Sequence, residues 1–208
     1  MTGKFNFKNF IINPFKYVAG YKSLFIGLLF LIGSAVINYY ENIHFDGIID
    51  IHYNSYGGIL LYFGEGIFNW LLLALLLYLG TKIVGNLSYR SIDLFGTQLF
   101  ARIPFFFASL LYVITPIRKF SKYIFWKYLN KGSQVVLTSL DYIFLTAGLL
   151  LVLFIIIYTV YLMYKSYSFV TNMKRKKAVL SFIIIFIIAE FVSKIFFLIF
   201  LPVENLGL

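Results

Sequence analysis

The sequence predicts an all-α integral membrane bundle of five transmembrane helices with short interfacial amphipathic helices. Three observations carry that expectation. Of the 208 residues, 61% are hydrophobic and only 12% charged, with a mean hydropathy of +0.88. A soluble domain is about half apolar and about a quarter charged. The apolar residues also fall in runs long enough to cross a bilayer core of about 30 Å, which takes roughly 20 helical residues. Finally, stretches such as Gly148–Ile157, GLLLVLFIII, do not alternate polar with apolar, so the strands of a β-barrel are excluded. A helix satisfies its own backbone in lipid.

The five expected spans are about Leu24–Tyr40, Ile67–Val84, Leu99–Ile117, Tyr142–Tyr164 and Ala178–Leu201. The third holds Arg102 and Pro104, which interrupt its apolar character. Before the first span, Phe5–Val18 alternates aromatic and aliphatic residues with lysines and is broken at Asn13-Pro14. It predicts a short helix lying on a membrane surface, a break, then the first span. Arg118–Lys131, RKFSKYIFWKYLNK, predicts a second interfacial stretch, with Tyr123, Phe125, Trp126 and Tyr128 at head-group level between lysines. Residues 1–208 read as one domain with no internal repeat, residues 1–23 forming a cytoplasmic or interfacial N-terminal segment. No cleavable signal peptide is expected, because no small-x-small site followed by a soluble domain closes the first apolar run.

Lys and Arg in short loops favour the cytoplasm. Five spans with the N-terminus inside place twelve basic residues on the cytoplasmic side, including the run Lys174, Arg175, Lys176 and Lys177. The five of Arg118–Lys131 then fall outside. Exchanging the two assignments gives the same tally, so the count of spans rests on length. The net charge of +10 sits beside hydrophobic segments, which points to anionic lipid head groups rather than nucleic acid. The absence of cysteine excludes disulfides and cysteine metal sites.

Glu41–Tyr53, ENIHFDGIIDIHY, contains both histidines and three of the eight acids. In an extended backbone His44 would share a face with Asp46, and Asp50 with His52, with Gly47 supplying a turn. Two imidazoles and two carboxylates could hold a divalent cation. No recognised metal motif surrounds them, and the favoured reading is an exposed polar cap between two spans. Within the spans, Glu190 and Lys194 are four apart with the acid first, the better order for an ion pair on one helical face. They predict a self-neutralising pair that fixes packing; the alternative is an ion path. Glu65 falls at the outer end of span two. Arg102 falls near the inner end of span three, within snorkelling reach of head groups. Gly27, Gly33, Ser34 and Ala35, and again Ala147 and Gly148, predict close helix contacts. No nucleophile elbow, Walker sequence or dinucleotide fingerprint occurs, so no enzyme and no cofactor is expected.

Three stretches together resemble the Yip1 domain family of small multi-span membrane proteins. They are INPFKYV before span one, Gly85–Phe107 (GNLSYRSIDLFGTQLFARIPFF), and Tyr164–Ile185 (YKSYSFVTNMKRKKAVLSFIII). The resemblance covers nearly the whole chain. It implies five spans with a cytoplasmic N-terminus and no catalytic residues. Eukaryotic relatives are linked to vesicle traffic and small GTPases. They carry a longer N-terminal region than this one, which argues against GTPase binding here. The chain is more similar to bacterial members. The expected function is a non-catalytic scaffold or accessory subunit in a bacterial cytoplasmic membrane, in contact with lipid and other integral membrane proteins. A small transporter or channel subunit using Glu190 and Lys194 is the alternative.

Overall fold

Long apolar runs become long helices. In a computed structural model that describes residues 6–53, 57–85, 88–129 and 132–200, the elements are α1 (Phe7–Ile12), a 3-10 turn at Pro14–Lys16, α2 (Gly20–Glu41), β1 (Ile43–His44), β2 (His52–Tyr53), α3 (Ile59–Gly85), α4 (Ser91–Phe100), α5 (Ile103–Tyr112), α6 (Thr115–Leu129), α7 (Ser139–Thr171) and α8 (Arg175–Phe200). The tail VENLGL, which five spans with the N-terminus inside would put outside, together with Lys4, Lys131 and Leu201, lies outside the described residues. Five helical stretches are long and apolar enough to span a membrane: α2, α3, α4 with α5, α7 and α8. The protein is an all-α integral membrane bundle. Lipid-sized apolar side chains such as Leu150, Phe154, Phe191 and Ile199 stand exposed on α7 and α8.

The third span differs most from its sequence expectation. It runs over Ser91–Tyr112 and begins eight residues before the expected Leu99. Its first half, SIDLFGTQLF, looks like a loop because of Asp93, Thr97 and Gln98. Yet Thr97 and Gln98 are buried. Gln98 Nε2 donates to Met163 O at 2.9 Å and to Ser166 Oγ at 3.1 Å, and Ser166 Oγ donates to Thr97 Oγ1 at 2.7 Å. These bonds tie α4 to α7 and satisfy polar atoms that lipid would leave bare. The helix is interrupted at Ala101–Arg102, just before Pro104 in the first turn of α5. Proline has no N–H to donate and is tolerated at a helix start.

Helices in lipid gain little from hiding apolar surface from one another, so close packing holds them. α2 and α4 make the closest pair. A Cβ on Gly96 would lie 2.5 Å from Gly20 O and 2.8 Å from Ser23 Oγ; one on Gly27 would lie 2.7 Å from Leu99 Cγ and 3.0 Å from Phe100 N. The role expected of Gly27 in close contact is observed. Gly33 likewise admits the ring of Phe106. The core continues through Phe15, Leu94, Leu162, Met163, Tyr167 and Phe182.

The two expected amphipathic pieces are helical. α1 precedes the break at Asn13-Pro14, and Tyr158 and Tyr161 hydroxyls donate to Ile11 O and Ile12 O. α6 covers the basic stretch. Lys119 Nζ bonds Asp141 Oδ2 at 2.6 Å, and Arg118 Nη1 lies 3.4 Å from Glu41 Oε2. Asp141 also completes a capping box with Thr138 at the start of α7.

Candidate functional site: a re-entrant hairpin

The stretch after α2 is not an exposed cap. Asn42 takes a left-handed backbone (φ 56°), its N–H donates to Asn38 O, and the chain reverses. β1 and β2 pair antiparallel, with Ile43 opposite Tyr53 and His44 opposite His52. Residues 43–48 are all buried, Ile43, His44 and Ile48 completely so. The hairpin folds back into the bundle between α3, α8 and the break in the third span.

An irregular backbone inside such a bundle needs polar partners from its surroundings. Side chains on two helices supply them. On α3, Glu65 accepts from Phe45 N–H at 3.1 Å and faces His44 Nδ1 at 2.7 Å. One turn further on, Asn69 Nδ2 donates to Phe45 O. On α8, Glu190 Oε2 accepts from Ile48 N–H at 2.8 Å and Ile49 N–H at 3.3 Å. One turn further, Lys194 Nζ lies 3.3 Å from Asp46 Oδ1 and also bonds Asp50. Glu65 stands six residues inside α3, about 9 Å from its start, and Glu190 ten residues from the end of α8, about 15 Å. The tip therefore lies well below the helix ends. Gly47 fits because a Cβ there would sit 2.7 Å from Glu190 Oε1 and 2.9 Å from Asp50 Cβ.

Glu190 and Lys194 do share a helical face, as their spacing requires. They do not neutralise one another: Glu190 holds backbone N–H groups and Lys194 holds two aspartates. Glu65 is completely buried rather than at the span's edge. Arg102 lies midway along the third span rather than near its end. Its guanidinium stacks over the Phe105 ring at 5.2 Å and feels the charge of Glu190. Asn69, which holds Phe45 O, and Asn38, buried on α2, are polar positions that the sequence reading misses. An Asn four residues after an intramembrane Glu, as in EGIFN, is the signal that could have found the first.

Asp46, Asp50 and His52 bring one ligand atom each to within 4.8 Å of one another. His44, the fourth member of the conceivable cation set, turns instead to Glu65. The Lys194 ammonium bridges Asp46 and Asp50, so a positive charge of the protein's own already sits against both carboxylates. His52 Nδ1 is 3.1 Å from Asp46 Oδ1. Burial pushes the Asp46 carboxyl up, but the hydrogen bond and charge of His52, with Lys194, hold it below its ordinary value of 3.8. The four basic residues Lys174, Arg175, Lys176 and Lys177 are exposed at the opposite end, around the α7–α8 turn.

Beside the hairpin is a cavity of about 40 Å³, lined by Gly27, Ser34, Asn38, Phe45, Tyr62 and Arg102 among others. That is room for roughly three waters. Among the described residues, Arg102 Nη1 and Asn38 Oδ1 have no hydrogen-bond partner. Water between them would satisfy both.

No protein-family model, curated protein or solved structure matches the chain.

Proposed function

We propose that the protein is a non-catalytic scaffold or accessory subunit, similar to bacterial Yip1-type proteins, set in a bacterial cytoplasmic membrane with its N-terminus inside. The observation that supports this reading is how the intramembrane charges are used. Glu65, Glu190 and Lys194 are each engaged in seating the hairpin. Groups that hold backbone N–H groups and the hairpin's own carboxylates serve architecture. The exposed cluster Lys174–Lys177 offers a surface for anionic lipid or for a membrane-protein partner.

The test is to neutralise Lys174, Arg175, Lys176 and Lys177 together. The variant is expected to lose partners on pull-down from native membranes in mild detergent, or to change topology by accessibility labelling. Wild-type topology with unchanged co-purification overturns the reading.

A transporter or channel subunit is the second reading. The cavity at Arg102, beside a broken span, favours it, because interrupted helices are where transporters place their sites. Flux into proteoliposomes that disappears in Glu190→Gln would decide for transport. Absence of flux in the wild type would decide against it.

A further inference from the structure

Around the hairpin, four carboxylates (Asp46, Asp50, Glu65, Glu190) meet two fixed cations, Arg102 and Lys194. With every carboxylate ionised and both imidazoles neutral, the cluster holds two uncompensated negative charges. Such an excess is costliest at Glu65, whose side chain is 1% exposed, and is eased by water at Asp50, whose side chain is 43% exposed. The two histidines sit where it arises. His44 faces Glu65 at 2.7 Å with side chains 0% and 1% exposed; His52 faces Asp46 at 3.1 Å with side chains 29% and 10% exposed. One proton on each pair cancels the excess, whichever partner carries it.

We propose that the re-entrant hairpin is a two-proton binding site, seated when the His44–Glu65 and His52–Asp46 pairs each hold one proton and released when they lose it. The His44–Glu65 pair controls the change, because no solvent reaches either side chain to offset a bare charge. Around it, the rings of Tyr62 of α3 and His52 of β2 stack with the His44 ring at 4.4 and 5.6 Å. Around the second pair stand Lys194 and Glu190 from α8 and Asp50 from the hairpin itself. Phe45 travels with the hairpin and forms one wall of the Arg102 cavity. Release therefore opens that cavity toward the hairpin end of the bundle.

The chain has no cysteine, so a single introduced thiol reports without background. Ile48→Cys places it at a fully buried hairpin position, and Gly58→Cys at an exposed reference position just before α3, outside the spans, where an added Cβ meets nothing within 4 Å. Both are labelled with a membrane-impermeant maleimide in proteoliposomes from about pH 5 to about pH 9, the range in which histidine charge changes. The ratio of the two rates cancels the thiol's own titration, and the cysteine-free parent corrects for lysine. The ratio is expected to rise with pH by about tenfold or more, since one linked proton shifts an equilibrium up to tenfold per pH unit. In Glu65→Gln the first pair needs no proton for neutrality, while an acceptor for Phe45 N–H remains. Its rise is expected to flatten to a few-fold. A flat ratio in the wild-type background, or an undiminished rise in Glu65→Gln, overturns the proposal. Should Ile48→Cys fail to fold, amide exchange over residues 43–53, corrected for intrinsic rate, measures the same opening on unlabelled protein, with the same two results against the proposal.

Discussion

At the hairpin end of the bundle, chain segments far apart in sequence are joined by charge. Glu190 reaches Ile48 N–H, and Lys194 reaches Asp46 and Asp50. Away from the hairpin, α2 and α4 meet through Gly20, Ser23 and Gly96, and α4 meets α7 through neutral bonds among Thr97, Gln98 and Ser166. The first kind of contact depends on protonation. The second depends on volume and on hydrogen bonds that titrate nowhere near neutral pH. One molecule thus has an end that pH can loosen and an end that it cannot.

The comparison breaks most sharply at Glu65. Glu65→Ala leaves Phe45 N–H and the buried His44 without their carboxylate, and should lower stability by about 3–5 kcal/mol. Thermal unfolding in detergent measures it; a melting curve like the wild type's would mean that the hairpin is not anchored there. At the other end, Gly96→Val drives a side chain into the Gly20 carbonyl and should cost about 1–3 kcal/mol. That loss should be the same at every pH, and a pH-dependent loss would erase the distinction between the ends. Ser166→Ala removes the link between Gln98 and Thr97 and should cost about 1 kcal/mol by the same assay. Arg118→Gln breaks a long, part-buried contact with Glu41, whose arginine is half-exposed, and should cost about 1 kcal/mol or less, shrinking as salt is added. A large effect there would show that α6 is as firmly held as the hairpin.

Acid sharpens the contrast from the other direction. The Asp46 carboxyl is held below 3.8 in the folded protein. The stabilisation it brings is present above that ordinary value and is lost as pH falls through the lowered one. Labelling at Ile48→Cys should therefore rise again in strong acid, while exchange in residues 91–100 stays low. Loss of both together would mean that the whole bundle unfolds.

The five helices are legible in the sequence because a long apolar run has few other solutions in lipid. The hairpin is not. IHFDGIIDIHY has the same alternation whether it lies on a head-group surface or folds inward, and the deciding partner, Glu190, is some 140 residues away. The spacing of Glu190 and Lys194 says that they share a face, and it says nothing of what that face meets. Span three starts earlier than its apolar run for a related reason. Thr97 and Gln98 read as loop residues until Ser166 and Met163 O are seen beside them. The Yip1 resemblance proposed from spacing and character bears on none of these contacts.

α7 is 33 residues long, about 50 Å, and carries no charge from Tyr142 to Tyr164, about 35 Å. If that neutral stretch occupies the hydrocarbon, the helix overshoots it by some two turns from Lys165 to Thr171. The turn into α8 then stands about 10 Å clear of the acyl region, like a short mast. Its tip bears Lys174, Arg175, Lys176 and Lys177, within reach of whatever moves through the water alongside.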